Sequence, residues 1–126
     1  MPLICRPVLA AFLMTVAVAA PALAEGDPAN GEKVFRRCKA CHVIDAETNR
    51  LGPHLVGAYG REAGAVEGYA YSSGLADADF VWDEATLDPW LEDPRAMIPG
   101  SKMVLKLSKP EDRADVIAYL KSLSEQ

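Results

Sequence analysis

Two thiols and an imidazole lie within five residues at Cys38-Lys39-Ala40-Cys41-His42. The spacing is C-x-x-C-H, the pattern that attaches a c-type haem. Thiols at i and i+3 reach the two vinyl groups on one edge of a porphyrin and become thioethers. The next residue then sets an imidazole under the iron. Haem iron held by His on one side takes Met, a second His or nothing on the other. A lone C-x-x-C also serves zinc half-sites, redox dithiols and structural disulfides. Zinc would want a second ligand pair, and no Cys follows Cys41. A redox dithiol would sit near a βαβ pattern, which the sequence lacks. A disulfide leaves His42 unexplained.

The other side of the iron needs a donor from elsewhere. Ile98-Pro99-Gly100-Ser101-Lys102-Met103 is a non-periodic loop that ends in Met, and Met103 is the expected sixth ligand. A thioether is neutral and soft, so it favours ferrous iron and raises the potential. Met97 is its competitor, although isolated methionines usually fill cores. His54, twelve residues after His42, is a further candidate and reads as a surface residue of the proximal loop. Pro53 has two readings. Its carbonyl can accept the second imidazole N–H of His42, fixing the tautomer, or the ring merely shapes a turn. Tyr69, Tyr71, Ser72, Ser73 and Trp82 are polar-tipped donors suited to buried propionates, which are costly unpaired. Ordinary core packing is the competing use of those aromatics.

The elements that position these residues start after a leader. Arg6 is followed by an apolar run, Val8 to Ala20, then Pro21 and an A-x-A site at Ala22-Leu23-Ala24. That is the pattern of a cleaved secretory signal. The apolar run is too short for a comfortable membrane span; an uncleaved anchor is the competing reading. The expected division is a signal peptide over 1–24 and one domain over 25–126. Removing the leader takes away Cys5 and one of the 13 basic residues, and none of the 18 acidic ones.

Asp27-Pro28 opens the first helix as N-cap and first helical residue. Gly31, Val34, Phe35 and Cys38 recur at helical spacing and form its buried face. Gly31 is reasonable there if another helix crosses closely. Val43 to Gly68 reads as loop, punctuated by Gly52, Pro53, Gly57, Gly60, Gly64 and Gly68. A structureless loop this long is unusual in a small domain, but a bound cofactor gives it something to wrap. Asp83 to Leu87 reads as one helical turn, and Asp88-Pro89 as the start of another ended by Pro94. Ser108 and Glu111 suggest a capping box for a last helix. Its stripe is Val116, Ile117, Leu120 and Leu123, flanked by Tyr119, and it is expected to cross the first helix at Gly31 and Phe35.

The chain resembles class I cytochrome c, nearest to the mitochondrial type and its soluble bacterial counterparts. The likeness runs through GEKVFRRCKACH (31–42), GPHLVG (52–57), GYAYSSG (68–74), VWDEATL (81–87), WLEDP (90–94), IPGSKM (98–103) and DRADVIAYL (112–120). The resemblance implies an all-α fold of three main helices and two short ones around one covalent haem. It implies haem c attached through Cys38 and Cys41, with His42 and Met103 as axial ligands and the Pro53 carbonyl orienting His42. It suggests that Tyr71 and Trp82 bond one propionate, that Arg61 helps neutralise one, and that Ser101 lies near the other. There are two departures. Trp90 stands where the mitochondrial type has a Tyr whose hydroxyl reaches the Met sulfur, and an indole N–H can only donate. Leu105 stands where the family often has a Phe beside the exposed haem edge.

With both axial positions filled, the expected function is outer-sphere electron transfer by a soluble single-haem carrier, not enzymatic catalysis. The rival is a peroxidase-like or ligand-binding haem protein with an open sixth position. Between Arg61 and Asp93 one basic residue faces nine acidic ones. Base collects beside the ligands instead, at Lys33, Arg36, Arg37 and Lys39 and at Lys102, Lys106 and Lys109. Either this is only a solvated surface, or a positive ring on an acidic body steers the chain onto acidic redox partners. Partner classes that fit are a membrane reductase or oxidase complex and a photosynthetic reaction centre. A net charge of -5 without a basic stripe gives no support for nucleic-acid binding. The expected state is a periplasmic, exported bacterial monomer without stable membrane insertion after cleavage.

Overall fold

A computed structural model describes residues 16–17 and 25–126. The leader expected over 1–24 therefore lies outside the described residues, apart from Val16 and Ala17. Five helices follow in order: α1 (Pro28–Phe35), α2 (Ser73–Ala76), α3 (Glu84–Glu92), α4 (Pro94–Met97) and α5 (Pro110–Ser124). Three are main helices and two are single turns, with no strand among the described residues beyond one isolated antiparallel bridge, Glu62 to Val81. None of these helices is long and apolar enough to cross a membrane.

Helix α1 starts as its sequence dictates. The Asp27 carboxylate accepts the Ala29 N–H at 2.9 Å, and Pro28 takes the first helical position. The helix then tightens into turns that carry the C-x-x-C-H segment, closed by Cys38 N–H to Phe35 O and His42 N–H to Cys38 O. Its buried face crosses α5. A Cβ on Gly31 would stand 1.9 Å from the Asp115 carbonyl oxygen, so only glycine lets the backbones approach this closely. Phe35 packs on Tyr119 with ring centroids 5.5 Å apart. The Asp115 carboxylate reaches back to accept from the Asp27 N–H at 2.7 Å and from the Asn30 amide. This anchors the start of α1 with negative charge where the helix dipole favours it.

Two helix starts differ from the sequence expectation. Ser108 does not cap α5: Pro110 occupies its first position, so Lys109 is the N-cap and no side chain closes it. Proline's fixed φ suits that position and moves the boundary one residue on. Asp88-Pro89 does not start a new helix. Asp83 and Thr86 form a reciprocal capping box, and α3 runs from Glu84 through Pro89 to Glu92. Asp93 then ends α3 and caps α4, accepting the Ala96 N–H.

The long segment after His42 is loop, as expected, but it is tied down by a partner. Gly60, Ala63 and Trp82 donate backbone N–H groups to Trp82, Phe80 and Arg61 respectively, pairing residues 60–63 with 80–82. Phe35, Leu87, Trp90, Leu91, Ile98, Leu107, Val116, Ile117 and Leu120 form the core. Arg113, only 6 % exposed, joins α5 to α3 through Asp88 at 2.7 Å and to the segment after Met103 through the Leu107 and Ser108 carbonyls.

Candidate haem site

The turns after α1 bring Cys38, Cys41 and His42 to one cavity, with both thiols free. Burial pushes the Cys38 thiol up to about 11, against the opposing pull of Arg37. His42 Nδ1 lies 2.7 Å from the Pro53 carbonyl oxygen. A carbonyl only accepts, so Nδ1 carries the proton and Nε2 keeps its lone pair, with no partner among the described residues. Burial lowers the His42 pKa, the Pro53 bond works against that, and Arg61 adds to the lowering. The net result is a neutral imidazole, the form that ligates metal.

Gly52 is the proximal residue that sequence reasoning missed. It reads as loop punctuation, yet it is buried and lies against the imidazole: a Cβ there would be 2.4 Å from His42 Cε1. Its N–H also bonds the Cys41 carbonyl at 2.9 Å. Glycine at this position is set by the ring beside it, a non-local requirement that only the sequence G-P could have hinted at.

Met103 reaches the same cavity from the segment after α4. Ile98-Pro99-Gly100-Ser101 is a turn with Gly100 at φ 83, closed by the Ser101 N–H on the Ile98 carbonyl at 3.1 Å. Proline then glycine at its centre is the type II requirement. Ser101 is almost fully buried, and its hydroxyl brackets Met103, accepting from its N–H at 3.2 Å and lying 3.4 Å from its carbonyl. The Ser101 carbonyl in turn accepts from Arg95 Nε at 3.1 Å. Lys102 donates to the Ala70 carbonyl, and the Tyr69 hydroxyl to the Leu51 carbonyl, linking the Met103 segment to the loop that follows His42.

The cavity holds 460 Å³, within the range of small-molecule and cofactor sites. Apolar groups from α1, α3 and α5 line it, including Phe35, Leu91 and Leu120. Arg61, Tyr71 and Trp82 join them. Arg61 gives its terminal nitrogens to the Val56 and His54 carbonyls, but its Nε is buried and unpartnered. Burial pulls its pKa down. A buried guanidinium with a spare N–H fits a carboxylate in the cavity, as a haem propionate would supply. The Tyr71 oxygen accepts the Val66 N–H, which leaves its own hydrogen free to donate. Trp82 packs against Phe80 and Trp90. Free thiols, a neutral imidazole, a thioether and this guanidinium make a donor set that fits haem c. Ser101, Met97 and His54 do not line the cavity. Among the described residues no group of three His, Cys, Asp or Glu could hold a metal ion alone.

A cytochrome c family model matches residues 28–124, the span that carries every element of this site. The chain belongs to the class I cytochrome c family. It is 47 % identical over 103 residues to cytochrome c2 of Rhodomicrobium vannielii, covering 80 % of this chain and 82 % of that protein. It is 49 % identical over 96 residues to cytochrome c2 iso-2 of Magnetospirillum fulvum, covering 75 % of this chain and all of that one. Among solved structures it superimposes on cytochrome cH from Methylobacterium extorquens with a TM-score of 0.72 at 46 % identity, covering 77 % of this chain and 99 % of the other. As a class I cytochrome c the chain carries covalent haem c through the Cys38 and Cys41 pair, and its broad role is electron carriage.

Proposed function

We propose that the protein is an exported, single-haem electron carrier whose iron is held by His42 and Met103 and that exchanges electrons with redox proteins by outer-sphere transfer. The observation that carries this reading is the Nδ1 bond of His42 to Pro53, which leaves Nε2 free beside a cavity that Met103 also lines. Bound haem supplies a one-electron iron couple. The chain's own residues do the rest. Two side-chain ligands leave no coordination position for a substrate, so the chemistry is restricted to electron exchange. The apolar lining keeps water from the site, so little solvent reorganises when charge changes. Arg61, Tyr71 and Trp82 meet the propionates, and Pro53 holds the His42 tautomer. Ser101 supports Met103 through its backbone.

Docking follows from the rim. Leu51 and Val104 line the cavity, yet they are 79 % and 60 % exposed. Arg37 and Lys102, both exposed, belong to the same lining. A small exposed apolar area with basic residues on the same rim suits a transient complex with an acidic redox protein. Membrane reductase and oxidase complexes and photosynthetic reaction centres are the partner classes that fit such a carrier, taken as a cleaved, monomeric chain in the periplasm.

Optical spectroscopy of the purified holoprotein is the test. A low-spin c-type spectrum with a weak sulfur-to-iron band in the ferric form is expected. Met103→Ala is expected to abolish that band and open the iron to exogenous ligands. A high-spin wild-type protein that binds carbon monoxide readily would instead establish an open sixth position.

A further inference from the structure

Ser101 uses every polar group it has. Its N–H closes the turn on Ile98, its hydroxyl brackets the Met103 backbone, and its carbonyl accepts from Arg95 Nε at 3.1 Å. The first two bonds lie within the loop that ends in Met103. The third comes from α4 and is the side-chain tie between that helix and this loop. Arg95 is itself exposed and does not line the cavity. It therefore reads as a surface cation, one of several, until its Nε bond is noticed.

We propose that Arg95 is a positioning residue for Met103, acting through the Ser101 carbonyl. The proposal rests on Met103 as the iron ligand. Opening the sixth position requires the loop to swing away, and the Arg95 bond must break for Ser101 to move with it. The bond is broken in the unfolded chain as it is in the opened loop, so its loss lowers the free energies of opening and of unfolding alike.

Side-chain lengths separate this role from a charge effect. The Nε2 of Gln stands the same number of bonds from Cα as the Nε of Arg. Arg95→Gln therefore keeps a donor within reach of the Ser101 carbonyl and discards the charge. Arg95→Lys keeps the charge but has a methylene where the donor was, with its ammonium one bond further out. Arg95→Met removes both. The readouts are imidazole affinity of the ferric holoprotein, the sulfur-to-iron band and amide hydrogen exchange at Ser101 and Met103. Loss of one such bond corresponds to roughly fivefold tighter imidazole binding. Arg95→Met and Arg95→Lys are expected to reach that increase, with faster exchange at the two amides. Arg95→Gln should stay close to wild type in every readout, whereas Arg95→Met and Arg95→Lys should also melt lower, by about 5 °C. If Lys behaves as wild type and Gln as Met, charge is the cause and the proposal is overturned. Four indistinguishable proteins that all retain the sulfur-to-iron band would overturn it as well, leaving the ligand assignment intact. A wild-type protein without that band would overturn the ligand assignment itself.

Discussion

Gly31→Ala sets two physical effects against each other, and the structure decides between them. In an isolated helix the change is favourable by about 1 kcal/mol, because alanine loses less backbone freedom on folding. In this protein the new Cβ would sit 1.9 Å from the Asp115 carbonyl oxygen and 2.8 Å from Tyr119 Cβ. Real Cβ atoms essentially never come closer than 3.0 Å, so α1 and α5 must part by about 1.1 Å. The obstacle is backbone in a helix, which cannot step aside as a flexible side chain does. Parting the helices also stretches the Asp115 bonds to Asp27 and Asn30 and loosens Phe35 against Tyr119. Overpacking of this kind costs about 3 kcal/mol at the upper end of its usual range. After the propensity gain, a net loss of roughly 2 kcal/mol remains. For a domain of this size that is a fall in melting temperature of roughly 10 °C. Guanidinium unfolding of the holoprotein, followed by far-UV circular dichroism, measures it as a lower midpoint at constant slope. A midpoint equal to or above wild type would refute the close crossing.

Three further outcomes follow from the same geometry. Arg113→Met keeps the aliphatic bulk but strands the Leu107 and Ser108 carbonyls and frees Asp88; a loss of about 3 kcal/mol in unfolding free energy is expected, and a loss under a third of that would contradict the account. Gly52→Ala drives a methyl into the His42 ring and off its Pro53 bond; the ferric protein should gain a high-spin fraction and bind its imidazole about tenfold more weakly, whereas an unchanged absorption and paramagnetic resonance spectrum would rule out the contact. Electron-transfer rates with an acidic redox partner should fall steadily as salt rises and the screening length shrinks below about 10 Å, and rates indifferent to ionic strength would remove the case for electrostatic docking.

The haem-attachment motif and the segments that reach its cavity could be read from the chain because each announces itself locally. Cys38, Cys41 and His42 lie within one short motif, and Met103 follows a Pro-Gly turn with no helical period. Asp27-Pro28 is an equally local signal for the start of α1. Errors arose where two local signals competed. Ser108 and Glu111 have capping-box spacing, but Pro110 between them claims the first helical position. Asp88-Pro89 looks like a helix start, but the Asp83–Thr86 box had already begun α3 five residues earlier. The pairing of 60–63 with 80–82 left no trace, since both segments lack strand periodicity and meet only across the chain.

What the sequence determined alone is the chemistry: which side chains can bind haem, and that the chain has an all-α scaffold of the class I cytochrome c type. The first is carried by residue type and short spacing, and the second by the resemblance to the family, and both survive without coordinates. The tertiary structure decided the support around that chemistry. Gly52 is glycine because of the His42 ring, and Ser101, almost fully buried, holds the Met103 backbone while Arg95 holds it in turn. Each is a contact between segments far apart in the chain or between a side chain and a backbone carbonyl. No periodicity records such a contact, because its partner is chosen by the fold.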